Sequence, residues 1–257
     1  MKRTTLFLRK RRIGCCLMAG VILFGCLCHG RTTNADTTGA LRKQFRDIPA
    51  GTVIDVSDLG KKQIHSLFYS RKIDDTVFRR MRGKSYKKNC TVARNDLRYI
   101  RLLYVGYDHR THVGELVVNR KIATDVTTIF YKLYRHGYEL HSVKLIDDYG
   151  ADDEKSMSAD NTSSFNFRAV SGTTKLSKHS YGLAIDINPR YNPYIHKING
   201  RSVCEPSNGK KYADRSRTFR HKIDHTDYCY KLFHKYGFTW GGDWRTVKDY
   251  QHFQKEI

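Results

Sequence analysis

Ser177-Lys178-His179-Ser180-Tyr181-Gly182-Leu183-Ala184-Ile185-Asp186-Ile187-Asn188-Pro189 is the stretch whose reading decides the fold. Leu183, Ile185 and Ile187 alternate with Ala184, Asp186 and Asn188, which predicts a strand with one apolar face turned to a core. The other face carries Asp186, and a carboxylate between apolar neighbours needs a partner or a metal to offset its desolvation. His179 lies seven residues earlier, about 23 Å away along a straight strand at roughly 3.3 Å per residue. The two side chains reach one ion only if the chain turns between them, and Gly182 permits such a turn.

A second informative run is Trp240-Gly241-Gly242-Asp243-Trp244, followed by Asp249-Tyr250-Gln251-His252-Phe253-Gln254. Asp249 and His252 are three apart, a spacing that lets one turn deliver both to one site. His179, Asp186 and His252 together form a three-ligand zinc set. Three protein ligands leave the fourth tetrahedral position open, as catalytic zinc sites do. Asp249 is then expected behind the ligands as general base. The other mature-chain histidines, among them His109, His112, His196, His221 and His225, lack such a setting and read as ordinary surface or core residues.

Outward from these runs, 99–104 and 114–119 read as strands rich in Ile, Leu, Val and Tyr. Ile122, Val126, Ile129, Phe130 and Leu133 fall on one helical stripe that Gly137 closes. The segment 140–146 alternates as a strand, and 226–236 reads as a second helix with Cys229, Leu232, Phe233 and Tyr236 on one face before Gly237. This order of elements predicts an α+β fold, a single small domain with a mainly antiparallel sheet flanked by helices. The domain is expected over 61–257, after a polar lead-in over 36–60 that holds one short strand at 52–56. No internal repeat or low-complexity linker interrupts it.

The chain has 257 residues, of which 39% are hydrophobic and 12% aromatic. Such a composition supplies a core and excludes wholesale disorder. The formal net charge is +22, and residues 1–35 contribute seven basic and no acidic residues to it. This excess suits anionic cell-envelope polymers. The basic residues are scattered, match no recognition motif, and give no reason to expect specific nucleic-acid binding. A basic run at 9–12 precedes a 16-residue apolar run at 13–28, shorter than the roughly 20 residues a spanning helix needs. Residues 1–35 therefore read as a signal peptide with an exported, bacterial periplasmic or cell-envelope product, an uncleaved anchor being the alternative. Leu23-Phe24-Gly25-Cys26 resembles a lipobox, which makes Cys26 a candidate for a lipid anchor. Outside this leader only Cys90, Cys204 and Cys229 remain. In an exported chain Cys204 and Cys229 are the expected disulfide, with Cys90 left over.

The sequence resembles peptidase family M15, the zinc D,D-carboxypeptidases and peptidoglycan endopeptidases, and in particular its L-alanyl-D-glutamate peptidase-like branch. Ser177, His179, Gly182, Ala184 and Asp186 stand at the positions of its S-x-H-x-x-G-x-A-x-D motif, and Asp249 with His252 at those of its acid-x-x-His motif. The likeness continues through Asn161-Thr162-Ser163-Ser164-Phe165-Asn166-Phe167-Arg168, Asn188-Pro189, Asn192-Pro193-Tyr194, Tyr212-Ala213-Asp214-Arg215 and the Trp240-to-Trp244 run, over roughly 73–257. It implies a small zinc fold like that of hedgehog and the D,D-peptidases. It further implies Zn2+ held by His179, Asp186 and His252, with Asp249 as catalytic base. Arg168 is implied as the cation on the substrate carbonyl and its developing oxyanion, a role that a fixed guanidinium suits. Trp240 and Trp244 are candidates for the cleft wall.

The expected function is hydrolysis of an amide bond in peptidoglycan stem peptides, L-Ala-D-Glu endopeptidase-like. A D-alanyl-D-alanine carboxypeptidase or dipeptidase is the alternative enzyme. A non-hydrolytic zinc-binding module is the alternative of another class, and retention of Asp249 and Arg168 argues against it.

Overall fold

The computed structural model describes residues 22–23 and 34–257, with side chains from residue 38 onward. The basic run at 9–12 and Cys26 lie outside the described residues. Among the described residues no helix is long and apolar enough to cross a membrane. The chain is α+β, with antiparallel three-stranded sheets and several helices.

The first half runs through β1 (Ile22–Leu23), α1 (Asn34–Arg46), β2 (Ile54–Asp55), α2 (Lys61–Ser66), β3 (Tyr69–Lys72) and α3 (Asp75–Met81) to a long hairpin, β4 (Leu97–Val105) and β5 (Thr111–Asn119). The order β3-β4-β5 is antiparallel throughout, with Ile100 opposite Leu116. Period-two alternation gives this sheet two buried faces. On one face Ile100, Leu102 and Val118 join the stripe of α4 (Ala123–His136), in which Val126, Ile129, Phe130 and Leu133 are buried. Gly137 closes α4 in the left-handed region at φ 72°, a conformation that costs glycine little. On the other face Leu97, Tyr99 and Val117 meet Val77 and Met81 of α3 together with Phe165 and Phe167.

The polar lead-in is tied into this body. Leu41, Phe45, Ile48 and Ile54 belong to the main core. Arg101 on β4, almost fully buried, donates to the carbonyls of Phe45 (3.0 Å) and Ile48 (2.5 Å). Beside it the buried Glu115 accepts two hydrogen bonds from Arg80 of α3 (2.9 and 2.5 Å) and one from Tyr99 (2.5 Å).

The second half continues with β6 (Ser142–Val143), α5 (Asp153–Ser158), β7 (Asn161–Thr162), β8 (Ala184–Asp186), β9 (Tyr194–Ile198), β10 (Arg201–Glu205), α6 (Tyr228–Lys235), β11 (Thr239–Trp240), β12 (Lys248–Asp249) and β13 (His252–Gln254). Two further antiparallel sheets result, β11-β13-β8 and β10-β9-β12. The strand expected over 140–146 is confined to Ser142–Val143. The Asn161 amide bonds both the N–H and the C=O of Lys144 (2.9 and 3.1 Å), and the chain then enters a single 3₁₀ turn at Ile146–Tyr149. The second helix starts later than expected, at Tyr228, because Asp227 caps it by accepting from the N–H groups of Cys229 and Tyr230 (2.8 and 3.2 Å).

The expected disulfide is not formed. Cys90, Cys204 and Cys229 are all free thiols. Cys229 points into the core from α6, fully buried, whereas Cys204 lies half-buried on β10 within reach of the Pro206 carbonyl. Cys229 packs with Leu232 and Phe233 in the main core.

Candidate metal centre and active-site cleft

The turn expected between His179 and Asp186 is present, and Gly182 makes it. Ser177 caps a one-turn 3₁₀ helix at Lys178–Tyr181, and Gly182 ends it at φ 66°. The chain reverses there against β5 so closely that a Cβ on residue 182 would lie 2.7 Å from the Asn119 nitrogen and 3.0 Å from the Val118 carbonyl carbon. His179 is thereby folded back over β8, where Asp186 stands. His252 is the cross-strand partner of Asp186 in register. Asp249 and His252 are not on one turn, as their spacing suggested, but on consecutive strands of different sheets, β12 paired to β9 and β13 paired to β8.

The three side chains converge. His179 Nε2 lies 3.1 Å from Asp186 Oδ2, His252 Nδ1 lies 3.1 Å from Asp186 Oδ1, and the two imidazole nitrogens are 3.1 Å apart. All three residues are buried. The outward-facing nitrogens define the tautomers. His179 Nδ1–H donates to the Ser164 carbonyl (2.6 Å) and His252 Nε2–H donates to Gln254 Oε1 (3.0 Å). Each ring therefore turns a lone pair toward the other and toward a carboxylate. Such an array is repulsive unless a positive charge sits within it. Two imidazole nitrogens and a carboxylate, converging and oriented from behind by hydrogen bonds, fit a divalent cation and leave coordination positions open.

The electrostatics follow from the same contacts. Burial pushes the Asp186 carboxyl up, but His179 and then His252 outweigh it and hold the group well below the usual carboxylate range. Burial pulls His252 down, and Asp186 reverses the sign, so its proton affinity is raised. Burial dominates at Asp249 and lifts its carboxyl to about 7, with Asp186 adding to the shift and His252 and Arg168 opposing it. Asp249 Oδ1 is buried with no hydrogen-bond partner among the described residues.

All five expected site residues line one cleft of about 850 Å³. Arg168 enters it from the segment before the metal loop, its backbone gripped by Ser180, whose hydroxyl accepts from Arg168 N–H (2.9 Å) and donates to Arg168 C=O (2.6 Å). Trp244 is on the cleft wall, at 5.3 Å from the His252 ring. Trp240 is not on the wall: it is a core residue that donates its indole N–H to the Tyr250 carbonyl (2.9 Å).

Several supporting residues went unread in the sequence. Ser164 and Gln254 fix the imidazoles, a role that the runs containing them did not signal. Gly241 did give one, in the Gly-Gly pair of the tryptophan run: a Cβ there would lie 2.6 Å from Asp249 O and 2.7 Å from Asp249 Cβ, so only glycine lets Asp249 sit where it does.

Residues 171–255, about a third of the chain, match the family model described as D-alanyl-D-alanine carboxypeptidase. No curated protein and no solved structure matches the chain. The matched stretch contains His179, Asp186, Asp249 and His252, with Arg168 just before it. The match over this C-terminal segment supports peptidase family M15.

Proposed function

We propose that the protein is a zinc peptidase that hydrolyses an amide bond in peptidoglycan stem peptides, at an internal L-Ala-D-Glu-type bond. The carrying observation is the convergence of His179, Asp186 and His252 beside Asp249 and Arg168 in one cleft. His179 Nε2, the Asp186 carboxylate and His252 Nδ1 would hold the cation. When bound, the cation supplies Lewis-acid polarisation of the scissile carbonyl and favours deprotonation of the attacking water. Asp249, with a proton affinity near neutrality and a bare buried oxygen, takes that proton and returns it to the leaving amine. Arg168 donates to the carbonyl oxygen as negative charge develops on it. The C–N bond breaks as the amine is protonated, and the carboxylate product leaves.

The description carried by the family model favours a second reading, removal of a C-terminal D-alanine. A non-hydrolytic zinc-binding module is disfavoured, because it has no use for an Asp249 with one bare, buried oxygen beside Arg168. The apolar run at 13–28 after basic residues supports export to a bacterial envelope, with Cys26 as a site of lipid attachment, and the basic excess supports residence on anionic wall polymers.

Digestion of purified peptidoglycan, with the released termini identified by mass spectrometry, tests the reading. New N-terminal D-Glu supports the internal cut and free D-Ala the second reading. No released terminus from zinc-loaded protein overturns both.

A further inference from the structure

Arg168 is restrained in an unusual way for a residue that must meet a substrate. A guanidinium can take a carboxylate in two bidentate modes, side-on through Nε and Nη2 or end-on through Nη1 and Nη2. Each mode has one member already occupied here, one by an ion pair and one by a hydrogen bond. The Asp153 carboxylate is ion-paired at Nε, and Nη1 donates to the Ala169 carbonyl (3.2 Å). Among the described residues neither Nε, which the Asp153 carboxylate neutralises as an ion pair, nor Nη2 makes a hydrogen bond. Asp153 is itself held, since its Oδ1 accepts from the Asn166 amide (3.1 Å), and both members of the pair are largely buried, at 23% and 29% side-chain exposure. Ser180 clamps the Arg168 backbone from the other side, one residue from the ligand His179.

Building on the peptidase reading, we propose that Asp153 is a positioning residue that restricts Arg168 to a single-oxygen contact. Arg168 then suits a carbonyl oxygen and its developing charge, not a terminal carboxylate, and the cleft is set for peptides whose cut bond is internal. With the Asp153 charge removed, Nε is released, the side-on mode opens, and Arg168 gains affinity for free carboxylates while losing its fixed aim.

Asp153→Asn keeps the side-chain shape and an oxygen for Asn166. Its zinc content should match the wild type, and its turnover on a muropeptide should fall about tenfold to a hundredfold, the value of a misaimed oxyanion donor. In an Arg168→Ala background the same change should cost nothing further, because the two residues act as a unit. Calorimetry with D-alanine as a carboxylate probe gives a readout independent of turnover: Asp153→Asn should bind it about tenfold tighter than wild type, as a bidentate pair replaces a single bond. Unchanged D-alanine affinity, or an equal loss of turnover with and without Arg168, overturns the inference. Failure of the wild type to cleave any peptidoglycan bond overturns the peptidase reading instead, and the calorimetric comparison still decides the role of Asp153.

Discussion

Gly182→Ala and Gly137→Ala are a matched pair that isolates how the metal loop is held against the central sheet. Both glycines sit in the left-handed region, at φ 66° and 72°, so each substitution incurs the left-handed cost of about 1–2 kcal/mol. They differ in space. A Cβ at 137 meets nothing within 4 Å, whereas at 182 it lies 2.7 Å from the Asn119 nitrogen and 3.0 Å from the Val118 carbonyl carbon. These are backbone atoms of β5 that cannot rotate away, which adds an overpacking cost of about 1–3 kcal/mol. Gly137→Ala should therefore lose about 1–2 kcal/mol, and Gly182→Ala about 2–5 kcal/mol, in urea melts read by circular dichroism. Only the second should also weaken zinc binding in a competition titration, because the turn that recoils carries His179. Equal losses in the two variants, or a Gly182→Ala protein that binds zinc as the wild type does, would show that contact with β5 does not hold the loop.

Two further outcomes follow from buried charges. Burial raises the Asp227 carboxyl to about 6 despite the N–H groups that cap onto it. Its contribution to stability is complete below the ordinary carboxylate range and lost as pH rises through about 6, so Asp227→Asn should be more stable than wild type by about 2–3 kcal/mol at pH 8 and equal to it near pH 3.5 in denaturant titrations. Glu115 behaves oppositely: burial pushes it up, but Arg80 and then Tyr99 and Arg101 hold it below the usual range, so its contribution is present at neutral pH and lost in acid. Arg80→Ala removes the two strongest contacts of that carboxylate, which is buried at 2% side-chain exposure, and should cost about 3 kcal/mol at pH 7, with the deficit shrinking as pH falls. A deficit that grows in acid would contradict this.

What could be read from the sequence was local. The hairpin β4–β5 and helix α4 announce themselves through uninterrupted periodicity of two and of 3.6 residues. The metal loop announces itself because an acid between Ile185 and Ile187 must be neutralised by a partner or a cation wherever the strand is buried. The lead-in was undervalued because its burial is decided elsewhere: α1 offers Leu41 and Phe45 among polar neighbours, and Arg101, more than fifty residues away, supplies the hydrogen bonds that seat it. The spacing of Asp249 and His252 is compatible with a helix, a turn or two strands, and only the pairing of β12 with β9 and β13 with β8 decides among them. Asp153 lies on a short polar helix with no periodicity to read, and its importance comes from a contact with Arg168 that no spacing encodes. The disulfide expectation failed for a different reason: Cys229 shares the apolar face of α6 with Leu232 and Phe233, and that face commits its thiol to the core.

Holding the metal and moving the proton fall to different residues, and zinc content measured by atomic absorption alongside muropeptide turnover in Asp249→Ala separates the two roles. Asp249→Ala should hold about one zinc per chain, as in wild type, with turnover reduced by roughly 10²-fold to 10⁴-fold, while His179→Ala, Asp186→Ala and His252→Ala lose zinc and activity together. An Asp249→Ala protein that keeps its zinc and turns over at the wild-type rate would contradict that division of roles.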